Sequence, residues 1–111
     1  MTRLLARQSA AYISWDQLLA RPDIIGARFE QAQMNAVYRG TITSVAHEGD
    51  DFVIAVAHIE VQKENDGPWQ PSDHLGYFFA KMRADALVHA DGSIHMVAKY
   101  TYAIISIWPR V

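Results

Sequence analysis

Apolar positions recur along this chain with two different periods. In the stretch Ser14-Trp15-Asp16-Gln17-Leu18-Leu19, Trp15, Leu18 and Leu19 fall at i, i+3 and i+4, the spacing of one helical face. Ser14 is suited to cap the first turn and Gln17 to bond back to it from the third helical position, which together make a capping box. Pro22 ends the segment, because a residue before proline is steered away from helical angles. In the next stretch, PDIIGARFEQAQMNAVYRG, Ile25, Phe29, Ala32 and Ala36 make a helical stripe behind Asp23 as N-cap, and Ala, Gln, Glu and Met favour helix. As a strand it would align Arg28, Glu30, Ala32 and Met34 on one side, a poorer pattern. A helix is therefore expected over residues 24–36, although Gly26 weakens it.

From Val37 onward the period is two. Gly49-Asp50 suits a two-residue turn with glycine first, so Glu48 should oppose Asp51. The register that follows pairs His47 with Phe52, Val45 with Ile54, Thr43 with Val56, Thr41 with His58, and Arg39 with Glu60. Proline cannot donate to a central ladder, so the loop ENDGPWQPSDHLG should stay outside the sheet. A second hairpin is expected from Tyr77 to Trp108 around Asp91-Gly92, with Ala90 opposite Ser93. It would place Lys81 against Tyr102 and Arg83 against Tyr100, next to Asp85, on one face. His95 and Lys99 would fall on the other, alanine-rich face. Strands this long must twist, with a bulge expected near Ala98 and Lys99.

The expected fold is thus α+β: one or two short N-terminal helices within residues 1–36, packed on a curved antiparallel sheet of two long β-hairpins over residues 37–111. A small five-stranded β-barrel is the alternative, should residues 27–34 form a strand. The 111 residues, half of them apolar, suit one domain spanning 1–111.

Charge and composition narrow the function. The formal net charge of −2 is uneven: residues 1–46 carry five Arg against three acids, residues 47–76 seven acids against Lys63, and residues 77–111 four bases against two acids. An acidic middle makes nucleic acid an improbable partner. No cysteine is present, which removes disulfides and thiol catalysis and fits a cytoplasmic protein. No apolar run reaches the ~20 residues of a membrane helix.

Chemical motifs are scarce. His47 and His58 share a face near opposite ends of their hairpin, and His89 and His95 meet only if their turn has three residues, so no metal site and no cofactor is expected. Asp85 and His89 stand four residues apart, about 13 Å in a strand, too far for an acid–base pair. What remains is a face where Lys81, Arg83, Tyr100 and Tyr102 could hold a flat or anionic ligand, and Trp69, stiffened by Pro68 and Pro71, as a pocket rim or protein contact. The leading expectation is a non-enzymatic binding module, homodimeric through its sheet, because the runs FVIAVA and AIISIW call for cover on two sides. A small-molecule binder or enzyme with His95 and Lys99 in a pocket between sheet and helices is the second. A single-stranded nucleic-acid binder using the Lys81, Arg83, Tyr100 and Tyr102 face is the third.

Overall fold

The computed structural model describes residues 11–64, 66–82, 86–99 and 103–110. Its one helix among these, α1 (Trp15–Ala20), begins as the pattern predicts. The Gln17 N–H donates to Ser14 Oγ at 3.1 Å, and the Ser14 N–H donates to Gln17 Oε1 at 3.3 Å. Arg21, before Pro22, is already extended. Leu18 is fully buried, and Trp15 packs on Phe52 with ring centroids 5.1 Å apart.

The rest is β, so the protein is essentially all-β and the expected α+β class is overturned. Among the described residues nine strands form one open antiparallel sheet: β1 (Ala11–Ile13), β2 (Arg28–Gln33), β3 (Ala36–Glu48), β4 (Asp51–Gln62), β5 (Gln70–Pro71), β6 (Tyr77–Lys81), β7 (Ala86–Val88), β8 (Ile94–Val97) and β9 (Ile104–Trp108). Their order is β1-β7-β8-β9-β2-β3-β4-β5, with β6 beside β5 on the same edge of β4. One six-residue helix among the described residues, beside so much strand, does not make the expected α+β fold, and the sheet is not a five-stranded barrel.

The helix expected over residues 24–36 is instead the central strand β2. It bonds to β3 from Arg28↔Thr41 to Gln33↔Ala36, and to β9 from Arg28↔Trp108 to Ala32↔Ile104. Ladders on both edges outweigh the helical propensity of Ala, Gln, Glu and Met, which is worth only tenths of a kcal/mol per residue, about 0.7 at most. The alternation was hidden because the polar Gln31 takes an inward position beside Phe29 and is itself buried.

The β3–β4 hairpin keeps its predicted turn, with Glu48 opposite Asp51 and Gly49 at φ +61°. Val45↔Ile54 and, at the far end, Arg39↔Glu60 also pair as expected. Between them lie two compensating bulges. Thr43 is an extra residue on β3, and His58 and Ile59 together face Gly40 across β4, so Thr41 opposes Ala57 rather than His58. Each bulge bends its strand and increases the local twist.

The second long hairpin does not form. β6 pairs with β4 from Asp51↔Lys81 to Ala55↔Tyr77, while the stretch read as one strand, residues 93–108, folds back on itself as β8 and β9. The Ala98 N–H donates to the Ala103 carbonyl at 2.8 Å, so the chain reverses where only a bulge was expected. Gln70 and Pro71, expected outside the sheet, make a two-residue edge strand on β4, a place where the missing proline N–H costs nothing.

The sheet curls until its β6 side touches the end of β8: Ala80 and Ala98 make one antiparallel bridge, and the Lys99 N–H donates to the Phe79 carbonyl at 2.8 Å. Inside the curl lie Phe29, Ile42, Phe52, Ile54, Phe78, Ile94, Met96, Ile105 and Ile107, with Leu18 and Ile24. The Phe29 and Phe78 centroids are 4.5 Å apart although two strands separate β2 from β6 along the sheet. AIISIW therefore alternates: Ile105 and Ile107 point inward, while Ile104, Ser106 and Trp108 face out.

Candidate functional site

The curl redistributes the residues singled out in the sequence. Lys81 and Lys99, assigned to opposite faces of one hairpin, come together with Asp50 and Asp51 around a cavity of about 270 Å³. Lys99 Nζ stands 2.6 Å from Asp51 Oδ2, and Lys81 lies directly across the ladder from Asp51. The proposed cation–tyrosine ladder required β6 to pair with β9, and β9 instead lies between β8 and β2. Arg83, Tyr100 and Tyr102 are outside the described residues, as is Asp85. His95 does not join Lys99. It sits at the other end of β8, where its ring meets His89 with centroids 4.2 Å apart.

That histidine pair exists because the β7–β8 connection holds three residues. The His89 N–H donates to the Ser93 carbonyl at 2.9 Å, and Gly92 adopts φ +90°. Asp91 Oδ1 accepts from the Ser93 N–H at 2.9 Å and its hydroxyl at 2.6 Å, which holds the Asp91 carboxyl below the usual range. His89 and His95 share a face diagonally, since Leu87 is the residue opposite His95. Among the described residues no three His, Cys, Asp or Glu side chains are grouped to hold a metal ion.

A different set of side chains converges on the outer face of β9, β2, β3 and β4. Trp108, Arg28 and Thr41 form one cross-strand row, and Ser106, Glu30, Arg39 and Glu60 form the next. The Arg28 guanidinium carbon stands 4.1 Å from the Trp108 ring centre, and that of Arg39 stands 3.9 Å from the Trp69 ring centre. Trp69 thus folds over the sheet against a cation. Such stacks are worth about 0.5–1 kcal/mol when exposed and, more usefully here, hold a long flexible cation in place.

Between the two stacks lies a shallow trough of about 310 Å³ lined by Arg28, Arg39, Gly40, Thr41, His58 and Glu60. Arg39 is neutralised: its Nε and Nη2 both lie 2.9 Å from Glu60 Oε1. Arg28 has no carboxylate within salt-bridge distance among the described residues. His58 reaches the trough from the β4 bulge with φ +56°, a left-handed conformation that costs a non-glycine residue roughly 1–2 kcal/mol. Gly40 faces the bulge so closely that a Cβ there would lie 2.5 Å from Val56 Cγ1 and 2.7 Å from the Ala57 carbonyl oxygen.

Sequence reasoning flagged Trp69 and found the Arg39–Glu60 pair, but missed Arg28, Trp108, Thr41 and His58 as a group. Placing Arg28 on a helix removed it from the sheet, and the regular register set His58 against Thr41 rather than on a bulge. One signal was present: a glycine inside a strand marks a bulge or a close backbone approach, and Gly40 is such a residue.

Two histidines carry a pH dependence. His74 stacks on Phe78 (centroids 4.3 Å, planes 4° apart), and its Nδ1 accepts from the Gly76 N–H at 3.0 Å. Burial pushes its pKa down, partly offset by Asp73. Burial also lowers that of His95, with the neighbouring His89 adding to the shift and Asp91 opposing it. The folded state thus disfavours the protonated form of both rings, whereas the unfolded chain takes up protons near the ordinary histidine value of about 6.5. Stability present above that pH is therefore eroded as pH falls below it. The melting temperature is expected to drop between pH 7.5 and 5.5, and the H74Q/H95Q double variant to show a flatter profile. An identical slope in that variant would mean that other groups govern the acid limb.

The chain matches no protein-family model, and neither characterised proteins nor solved structures give a significant match. Among the described residues no helix is long and apolar enough to cross a membrane.

Proposed function

We propose that this protein is a non-enzymatic binding module whose ligand lies in the outer trough between the Trp108–Arg28 and Trp69–Arg39 stacks. The observation that carries this is Arg28: a guanidinium immobilised on an indole, without a carboxylate partner among the described residues, beside a histidine in a costly backbone conformation. Backbone strain of this kind concentrates at ligand sites, where the surrounding structure must over-determine it. A binding role is favoured over catalysis because Glu60, the carboxylate in the trough, is engaged by Arg39 and so poorly placed to move protons. Backbone amide NMR during a screen of small polar and aromatic compounds tests this. Shifts clustered at residues 28, 41, 58 and 60 are expected, and hits confined to other surfaces would refute it.

A homodimer is a second reading, on altered grounds. The curl covers the inner side of FVIAVA and AIISIW, so those runs no longer call for a partner on both faces. In its favour, Met34 is 95% exposed at the tip of the β2–β3 hairpin, and Ile104, paired with Ala32 on the same end, is 45% exposed. Native mass spectrometry is expected to show a species at twice 12.5 kDa. A monomer that persists at high concentration would exclude it.

A further inference from the structure

We infer that the ligand of the trough is a small oxyanion, carboxylate or phosphate, gripped by Arg28 with Thr41 and His58 as secondary donors. This rests on the trough being the binding surface and adds its chemical selectivity. The Trp108 indole occupies the face of the Arg28 guanidinium, which leaves the in-plane N–H groups at its edge to donate. That planar fork matches a carboxylate or phosphate in a bidentate pair, the strong form of charge-assisted hydrogen bond. Thr41 is the direct cross-strand partner of Arg28, is exposed, and its hydroxyl makes no hydrogen bond among the described residues. His58, also exposed, lines the same trough from the bulge.

Arg39 has a different task. Its charge is answered by Glu60, so it acts as a positioning residue that pins Trp69 at the far wall. The space between the anion-binding end and this wall, within about 310 Å³, suits a compact molecule. Glu60 in the trough and Glu30, next to Arg28 on the same side of β2, would repel a second and third phosphate. A long polyanion such as single-stranded nucleic acid is therefore disfavoured at the site that favours one anionic group.

Three probes decide the matter: inorganic phosphate, benzoate, and neutral benzamide, which nearly matches benzoate in shape. Each is titrated into the whole chain while the Arg28 side-chain N–H and the amides of Thr41 and His58 are followed by NMR. Benzoate or phosphate should shift these signals and benzamide should not, and whichever anion binds names the preferred group. Arg28→Gln should weaken that binding about tenfold or more, with Arg28→Lys recovering part of it. Arg28 is exposed, so an unchanged thermal melt is expected of both variants. Equal binding of benzoate and benzamide at the trough would overturn the anion selectivity and leave the binding surface intact. Shifts elsewhere, or none with any probe, would overturn both. A short oligonucleotide that shifts the same signals more tightly than either small anion would overturn the compact ligand.

Discussion

Phe29→Ala is expected to lower the unfolding free energy by about 3–5 kcal/mol, a large part of the roughly 5–15 kcal/mol available to a domain of this size. Phe29 is fully buried on the central strand β2, with Gly40 across one ladder and Ile107 across the other. Its ring reaches across the curl to Phe78, and the Phe78 ring in turn stacks on His74 and lies 6.2 Å from that of Tyr38. Truncation removes the contact that joins opposite walls of the curl. Hydrogen bonds on both edges of β2 also prevent the strand from moving in to fill the space, so the cavity penalty should be close to its full value. Urea denaturation checks this. A loss below about 1 kcal/mol, on the same scale, would mean that the interior is not packed around this ring.

Gly40→Ala should cost about 1–3 kcal/mol by overpacking and should also disturb the trough. The new methyl would meet Val56 Cγ1, on a buried β-branched side chain with little freedom at χ1, and the Ala57 carbonyl oxygen at 2.7 Å, which belongs to the backbone. Relief requires β3 and β4 to part beside the bulge that aims His58 outward. Two readouts should therefore move together: a lower melting temperature, and altered chemical shifts at His58 and Arg39. Gly49→Ala separates crowding from backbone strain, because nothing lies within 4 Å of a Cβ there although φ is +61°. It should lower stability without touching the trough signals. If Gly40→Ala melts like the parent with unchanged trough shifts, the close approach is not what holds the bulge.

The bulges also explain how a partly correct register could mislead. Counting from Gly49-Asp50 reaches Val45↔Ile54 correctly and returns to the correct Arg39↔Glu60, because the extra residue on β3 cancels the extra one on β4. Only the interval between them is wrong, and that interval contains Thr41 and His58. A charge pair at the far end supported the overall register without revealing the local deviation that builds the candidate site. The same holds for Trp69, whose prolines announce a stiff loop but not the arginine it covers.

What the sequence determined by itself was local: the Ser14–Gln17 capping box, the stop at Pro22, the Gly49 turn, and the pairing next to that turn from Glu48↔Asp51 to Val45↔Ile54. These follow from contacts within a few residues, where spacing and backbone preference suffice. Tertiary structure alone decided the neighbours of each strand. Residues 28–33 became a strand because β3 and β9 offered ladders on both edges, Tyr77–Lys81 joined β4 instead of β9, and β8 paired with β9. Alternation specifies the face that a strand buries but is silent on the partner it bonds to. That choice is a competition among edges distant in sequence, settled by which arrangement curls the sheet tightly enough to bury Phe29, Phe52 and Phe78 together.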